Sequence, residues 1–272
     1  MARQARPRQG QLLFAIDVGN SNTVLGVFQG AKLLAHWRLT TLHEQTVDEW
    51  GILTRNLFAL EHIDPAKITG IIIASVVPPL DSTLEEVARR YFHTPAVFVR
   101  ANGKTGIPVR YIPPQDVGAD RIVNGAAAFE KYGGPCIVVD FGTAITFDAI
   151  SAQGEYLGGV IAPGLGISSE ALFARAARLP RVDVRQPPSV VGNTTVGSMQ
   201  SGLYYGFLGM IDGILERMLA EMGPRCPVIA TGGQADLLAK GSRFIQKTDP
   251  FLTLWGLKIL WDKSRRKERP KE

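Results

Sequence analysis

The stretch LLFAIDVGNSNTVLGVF (residues 12–28) decides the fold. An apolar run leads to Asp17, a polar turn of glycine, asparagine and serine follows, and a second apolar run ends at Phe28. Apolar runs on either side of such a turn predict a β-hairpin. The stretch CIVVDFGTAITFDAI (residues 136–150) repeats the arrangement, because Asp17 and Asp140 each open the pattern Asp-x-Gly-x-x-x-Thr after an apolar run. One copy in each half of the chain predicts two duplicated domains whose turns face each other across a cleft.

The remaining residues alternate between predicted strands and helices. Pro78 and Pro79 are expected to end a β-branched strand, and Thr46 with Glu49 has the spacing of a capping box at a helix start. Such alternation predicts an α/β protein with a mixed sheet. The predicted strands are residues 33–39, 71–77, 96–99, 136–139 and 228–230, and the predicted helices are residues 84–91, 120–132, 172–179, 197–222 and 235–240, with a further helix after Thr46.

A glycine- and proline-rich stretch separates the two halves. Residues 101–115 are therefore expected to be a linker or a substrate loop. We place the first duplicated domain at residues 12–115 and the second at residues 116–262. Basic tails are expected at residues 1–11 and 263–272.

The charge of the chain lies mainly at its ends. The net charge is +5, and residues 1–11 and 262–272 carry +3 each, which leaves the body near −1. Basic ends of this kind are usually solvated. A nucleic-acid partner is therefore not expected.

The composition excludes several classes of protein. Hydrophobic residues make up 45% and charged residues 20% of the chain, which excludes disorder over most of its length. No apolar run approaches the ~20 residues that a membrane-spanning helix needs. The N-terminal arginines precede no apolar segment, so no secretory signal is expected. The two cysteines, Cys136 and Cys226, cannot form a disulfide framework, and a reduced, cytoplasmic compartment is predicted.

The first turn offers donors suited to phosphate. Residues 19–23 carry backbone N–H groups in a glycine-containing turn together with small hydroxyl side chains. A carboxylate at Asp17 would repel phosphate unless a cation lay between them, so Mg²⁺ is predicted there, directly or through water. The alternative is a polar hairpin turn whose aspartate caps its own backbone. The matched second turn favours the functional interpretation.

Other motifs carry less information. Residues 102–105 contain Gly-Lys-Thr without the earlier glycine of a P-loop, so no P-loop is predicted. The four histidines do not have the spacing of metal ligands, and neither a zinc site nor a Ser-His-Asp hydrolase is predicted. Asp120 stands at a predicted helix start, where it is either a helix cap or a carboxylate that takes a proton from a substrate hydroxyl beside Arg121. Residues 231–233, Thr-Gly-Gly, either let a nucleoside approach the backbone or form an ordinary strand exit.

Seven motifs together resemble one family, the type III pantothenate kinases, in order and spacing over about residues 13–260. The resemblance implies the acetate and sugar kinase/Hsc70/actin superfamily fold, with two RNase H-like domains. It also implies phosphorylation of pantothenate by ATP, the first step of coenzyme A synthesis. The motifs are DVGNSNTV (17–24), GADR (118–121), DFGTAIT (140–146), GGVIAPGL (158–165), VGNTTVGSMQSG (191–202), ATGG (230–233) and DPFLTLWGL (249–257).

The same resemblance implies roles for individual residues. Asp120 would be the catalytic base, Asp140 would bind a monovalent cation, K⁺ or NH₄⁺, and the family is typically a homodimer with pantothenate near the interface. This chain departs from the pattern at Ser21, where Thr is more usual, and in an extension before Leu12, which is expected to reflect a translation start nearer that residue. The implied ATP contacts are Asp17, Val18, Gly19, Asn20, Ser21, Asn22, Thr23, Val24 and Thr143, and the implied pantothenate contacts are Tyr111, Gly118, Ala119, Asp120, Arg121 and Thr195.

Two other functions stay open at this point. One is another small-molecule kinase or a sugar-binding relative with the same fold. The other is an accessory factor for transcription of virulence genes, a role described for some members of the family. The presence of Asp17, Asp120 and Asp140 favours an enzyme.

Overall fold

The first sheet contains the stretch of residues 12–28. The computed structural model describes residues 11–101 and 106–267. Strand β1 (Leu12–Val18) contains Asp17 as its second-last residue. It pairs antiparallel with β2 (Asn22–Gln29) on one side and parallel with β4 (Ile68–Ser75) on the other. The five strands lie in the order β3-β2-β1-β4-β5. Their bounds are β1 Leu12–Val18, β2 Asn22–Gln29, β3 Lys32–Thr40, β4 Ile68–Ser75 and β5 Ala96–Phe98.

The second sheet has the same topology. Its strands lie in the order β8-β7-β6-β9-β10, with β6, β7 and β8 antiparallel and β9 parallel to β6. Position by position, this order repeats that of the first sheet. The predicted duplication is therefore confirmed, and so is the α/β class. The bounds are β6 Cys136–Phe141, β7 Ala144–Ile150, β8 Tyr156–Pro163, β9 Val228–Thr231 and β10 Lys247–Thr248.

Helices connect the strands in both halves, and local signals fix several of their starts. The capping box between Thr46 and Glu49 is present at α1. Pro78 and Pro79 occupy the first turn of α2, where proline lacks only an N–H that has no helical partner. They begin a helix after β4 has already ended at Ser75. The bounds are α1 Val47–Leu60, α2 Pro78–Phe92, α3 Ala119–Tyr132, α4 Leu165–Arg175, α5 Thr195–Met222, α6 Ala235–Leu238 and α7 Leu252–Lys267.

The structure differs from the sequence predictions at one helix, at two elements that were not predicted and at the C-terminal tail. The helix predicted at residues 172–179 begins at Leu165 and ends at Arg175. The short strand β10 and the 16-residue helix α7 were not predicted. Because α7 continues to Lys267, residues 263–267 belong to a helix rather than to a basic tail, whereas residues 1–10, 102–105 and 268–272 lie outside the described part of the chain.

The chain forms two compact units that are not contiguous in sequence. The first contains residues up to Ile107, Ile112–Ala127 and residues from Thr253 onward, and the second contains Pro108–Tyr111 and Ala128–Leu252. The domain division at residue 115 and the facing arrangement of the two turns stay predictions. Between residues 11 and 267, leaving out 102–105, no helix is both long and apolar enough to cross a membrane.

Each unit has its own core. In the first, the rings of Phe14, Phe58 and Phe92 meet beneath the sheet, with centroids of Phe14 and Phe58 5.0 Å apart. In the second, Phe141 and Phe147 pack against the buried face of α5. These two cores hold the ends of β1 and β6, and with them the two turns, in place.

Candidate functional site

The first turn joins β1 to β2 and presents polar groups to solvent. The Gly19 N–H donates to the carbonyl of Asn22 at 3.0 Å, and the side chains of Asn20, Ser21 and Asn22 are exposed. A Cβ at Gly19 would lie only 3.0 Å from the Asn22 carbonyl oxygen, so the tight turn favours glycine there. The turn is therefore tight, with its polar residues exposed, and its contact with phosphate stays a prediction.

Thr41, which the sequence analysis did not identify, supports this turn from the end of β3. Its hydroxyl donates to the Gly19 carbonyl at 2.7 Å, and its backbone N–H donates to the Ser21 carbonyl at 3.0 Å. The Thr23 hydroxyl lies 2.9 Å from that of Thr41, and Thr23 is fully buried. The Thr23 hydroxyl therefore faces Thr41 and not solvent, and the expected contacts of Thr23 and the buried Val18 with ATP stay predictions.

Asp120 lies in the same part of the first unit as this turn. The Val76 N–H donates to the Val18 carbonyl at 3.0 Å. A Cβ at Gly118 would lie 3.3 Å from Val76 Cγ1 and 2.5 Å from Asp120 Oδ1, so Gly118 leaves the space that the Asp120 carboxylate fills. The contacts from Val18 through Val76 to Gly118 thus bring Asp120 to the carboxyl ends of β1 and β4.

The electrostatics of Asp120 suit a proton acceptor. Asp120 is half-buried in the first turn of α3, and burial raises the pKa of its carboxyl. A hydrogen bond from the Arg121 N–H to Oδ1, at 2.8 Å, and the positive charge of Arg121 oppose that rise in pKa. Asp120 is the second residue of α3, and both interpretations of it, helix cap and proton acceptor, stay predictions. A carboxylate with a raised pKa is nevertheless a stronger base than a solvated one.

The second turn joins β6 to β7 and is supported from two sides. The Gly164 N–H, just before α4, donates to the Thr143 carbonyl at 3.1 Å, and Thr143 is exposed. Gly232 has φ +95°, and a Cβ there would lie 2.5 Å from Asp140 Oδ1. The Thr-Gly-Gly sequence thus provides a close approach of backbone to Asp140, which neither sequence interpretation anticipated.

Two expected pantothenate contacts lie in the second unit. Tyr111 is half-buried, with its Cδ2 3.6 Å from where a Cβ of Gly158 would stand and its ring 6.4 Å from that of Tyr156. Thr195 is exposed at the first residue of α5, and the preceding Thr194 caps that helix by accepting from the Gly197 N–H at 3.0 Å. Thr195 lines an open groove of about 740 Å³.

The expected residues therefore fall into two groups. The first unit contains the first turn and residues 118–121, which include Asp120 and Arg121. The second unit contains Tyr111, the second turn and the start of α5. Sequence reasoning missed Asp148, a fully buried carboxylate in β7. An acid inside an apolar strand was the available signal. The expected site residues of the second unit are Tyr111, Asp140, Thr143 and Thr195.

Each turn has one aspartate near the end of the strand that precedes it, Asp17 in β1 and Asp140 in β6. Within residues 11–101 and 106–267, no group of three or more His, Cys, Asp or Glu side chains is placed to hold a metal. Mg²⁺ commonly binds through one or two carboxylates together with substrate phosphates, and half-buried Asp17 at the end of β1 is suited to that role. At Asp140, the absence of a Cβ on Gly232 lets the Gly232 backbone pack closely against the carboxylate.

Comparison with known proteins identifies the family. The model of the type III pantothenate kinase family matches residues 13–217. A type III pantothenate kinase from Koribacter versatilis (strain Ellin345) is 57% identical over 96% of this chain and 99% of its own length.

Solved structures agree on the fold. A conserved Baf family protein from Campylobacter jejuni superposes with a TM-score of 0.61 and 20% identity, covering 93% of this chain and 99% of that one. An inorganic polyphosphate/ATP-glucomannokinase from Arthrobacter sp. strain KM superposes with a TM-score of 0.51 and 13% identity, covering 94% and 99%. The expected kinase fold with duplicated domains is confirmed. Because the family model and a relative of 57% identity both span most of it, the chain belongs to the type III pantothenate kinases, which transfer phosphate from ATP to pantothenate in the first step of coenzyme A synthesis.

Proposed function

We propose that Asp120 is the general base of this reaction and that the two turns hold the nucleotide and its cations. The observation that carries the proposal is the half-buried Asp120 carboxylate, whose pKa is raised by burial, beside the carboxyl ends of β1 and β4. Asp120 accepts the proton of the pantothenate hydroxyl as the hydroxyl oxygen forms its bond to the γ-phosphorus. The bond from that phosphorus to the bridging oxygen breaks, and ADP leaves with the electron pair.

The first turn would hold the phosphates. The exposed residues Asn20, Ser21 and Asn22 would supply the donors, and Thr41 holds the turn in shape. Mg²⁺, when bound, neutralises phosphate charge, and Asp17 would hold it directly or through water. Thr143 would contact ATP from the second turn.

Asp140 would hold a monovalent cation, K⁺ or NH₄⁺. The carboxylate stands near the end of β6, directly opposite Thr146 in β7, and Gly232 packs closely against it. Replacing K⁺ by Na⁺ at constant Mg²⁺ should lower turnover sharply, and Asp140→Asn should weaken that dependence. Equal rates in the two salts would refute the cation role.

Pantothenate would contact Tyr111, Gly118, Ala119, Arg121 and Thr195. Arg121 is buried, and its positive charge suits the carboxylate of pantothenate. The assay that tests this substrate compares pantothenate with hexoses as acceptors, measured as ADP formed in the presence of ATP, Mg²⁺ and K⁺. A hexose used as well as pantothenate would refute the assigned acceptor site.

The protein would act as a homodimer. Strand β8 is the last strand of the second sheet, and exposed apolar side chains lie on it, on α4, before α5 and at the start of α5. Only its first residue, Tyr156, bridges a further segment among the described residues, at Val109. A strand at the edge of a sheet with such side chains is a typical interface. Ile161→Lys, at a residue that is 62% exposed, should convert the dimer to a monomer in sedimentation, whereas Ile52→Lys, at a residue 58% exposed on α1, should not. The exposed apolar residues of the second unit are Leu157, Val160, Ile161, Ile167, Leu172, Phe173, Val190, Val191 and Val196.

We also propose a cytoplasmic location. The reaction consumes ATP, and both cysteines are buried free thiols. Burial raises the pKa of Cys136 to about 12 and that of Cys226 to about 11, so neither is a reactive thiolate at neutral pH. Recovery of the protein in the membrane or secreted fraction of cells would contradict the proposal.

A further inference from the structure

Asp148 is a buried carboxylate that the proposed chemistry does not use. It lies in β7 with no exposed surface. The Tyr156 hydroxyl donates to its Oδ1 at 2.8 Å, and the Thr146 hydroxyl donates to its Oδ2 at 3.0 Å. Burying a carboxylate is costly unless donors surround it, and a satisfied polar network of this kind fixes the positions of its members.

Tyr156 connects this carboxylate to the segment that carries Tyr111. The Tyr156 N–H donates to the Pro108 carbonyl at 2.8 Å, and its carbonyl accepts from the Arg110 N–H, also at 2.8 Å. The buried Tyr156 ring meets the Tyr111 ring edge to face at a centroid distance of 6.4 Å. The Asp148–Tyr156 hydrogen bond therefore fixes the ring against which Tyr111 rests.

Thr146 connects the same carboxylate to the second turn. Thr146 in β7 pairs directly with Asp140 in β6. Directly opposite residues of an antiparallel pair have neighbouring side chains on one face of the sheet. The Asp148–Thr146 hydrogen bond therefore fixes the side chain that lies beside the Asp140 carboxylate.

We propose that Asp148 is a positioning residue for phosphoryl transfer, acting through Tyr156 on Tyr111 and through Thr146 on Asp140. The inference rests on the proposed roles of Tyr111 at pantothenate and of Asp140 at the monovalent cation. Because small displacements of binding groups lower turnover strongly, loss of either hydrogen bond should affect the reaction as well as the stability of the unit.

The two connections predict changes in different kinetic constants. Tyr156→Phe removes only the hydroxyl, and it should raise the KM for pantothenate several-fold with the KM for ATP unchanged, because the ring against which Tyr111 packs is no longer held in place. Thr146→Val keeps the side-chain shape, and it should raise the K⁺ concentration needed for half-maximal rate with the KM for pantothenate unchanged. Asp148→Asn should change both.

A matched control is present in the same unit. The Tyr132 hydroxyl donates to the buried Asp249 carboxylate at 3.0 Å, far in sequence from Asp148. Tyr132→Phe thus removes the same kind of hydrogen bond, and it should lower the Tm without changing either kinetic constant. Equal KM effects from Tyr132→Phe and Tyr156→Phe would reduce Asp148 to a residue of the core and overturn the proposal.

The remaining outcomes are also decisive. If Tyr156→Phe raises both KM values together, or changes neither, the connection to Tyr111 is refuted. Tyr111→Ala separates this failure from a failure of the proposed substrate site. An unchanged KM for pantothenate in Tyr111→Ala overturns the assignment of Tyr111, and the positioning role then depends on the K⁺ response of Thr146→Val alone. If Asp148→Asn does not fold, the two single-hydroxyl variants still give these results.

Discussion

Replacement of Asp120 by Asn tests the centre of the proposed mechanism. The amide keeps the shape and still accepts the hydrogen bond that the Arg121 N–H makes to Oδ1 at 2.8 Å, but it cannot take up a proton. General acid–base catalysis contributes about 10²–10⁴-fold, so kcat should fall by that factor. This corresponds to about 3–5 kcal/mol in the barrier. The KM for ATP should change little, because the first turn does not depend on the Asp120 charge.

The raised pKa of Asp120 also predicts that Asp120→Asn stabilises the folded protein while it lowers kcat. Burial disfavours the charged carboxylate in the folded protein, so folding favours the protonated form. The ionised form therefore costs stability at neutral pH, and this cost disappears as the pH falls below the ordinary pKa of the group. Asp120→Asn should thus have a higher Tm than the wild type at pH 7, and the difference should vanish in acid.

Steady-state kinetics and thermal unfolding between about pH 4 and pH 8 measure both effects. In the wild type, kcat/KM should fall as the pH drops through the pKa of Asp120, and this limb should be absent in Asp120→Asn. Asp116→Asn, at an exposed residue close by in sequence, is the control and should change neither quantity. Near wild-type kcat in Asp120→Asn would leave Asp120 as a helix cap only. A lower Tm together with loss of ATP binding would refute the argument from burial.

Three further variants test the two turns and the chain end. Gly232→Ala places a Cβ 2.5 Å from Asp140 Oδ1 at φ +95°, so it should destabilise the protein by about 1–3 kcal/mol in thermal unfolding and weaken K⁺ activation. Thr41→Val removes the donor to the Gly19 carbonyl, and a hydrogen bond of this kind contributes about 1 kcal/mol. The variant should therefore raise the KM for ATP several-fold and leave the KM for pantothenate unchanged. A protein that ends at Asp262 loses the last turn of α7 with buried Ser264, so its Tm should be lower than that of one that ends at Lys267.

Much of the fold follows from local sequence because its signals are short-range. The capping box at Thr46 and the apolar runs that end at Asp17 and Asp140 lie where they were expected. Helix α7 was missed because its basic end resembles a solvated tail. Basic residues are, however, also favourable in the last turn of a helix, where they meet the negative end of its dipole. Local composition does not distinguish these two cases.

The candidate site was less accessible from the sequence because its supporting contacts are long-range. Thr41 reaches the first turn across 22 residues, from Thr41 to Gly19, and no local pattern marks it. Asp148 depends on Tyr156, which the chain brings back beside β7 through a hairpin. Gly232 matters because of Asp140, on the neighbouring strand. Each of these contacts requires the pairing of the sheet before it can be recognised.

The two turns share one sequence spacing but not one register, and this difference separates their proposed roles. In the first, Thr23 pairs with Val18, which directs it to the buried side, and Asn20 and Ser21 form an open turn. In the second, the turn is shorter by one residue, so Thr146 pairs with Asp140 instead. The longer turn exposes Asn20 and Ser21, whereas the shorter one sets a hydroxyl opposite a carboxylate, and oxygen atoms are the ligands that hard cations prefer. A one-residue change of register after duplication therefore accounts for the different placement of Thr23 and Thr146, and it is the structural basis on which we propose different ligands for the two turns.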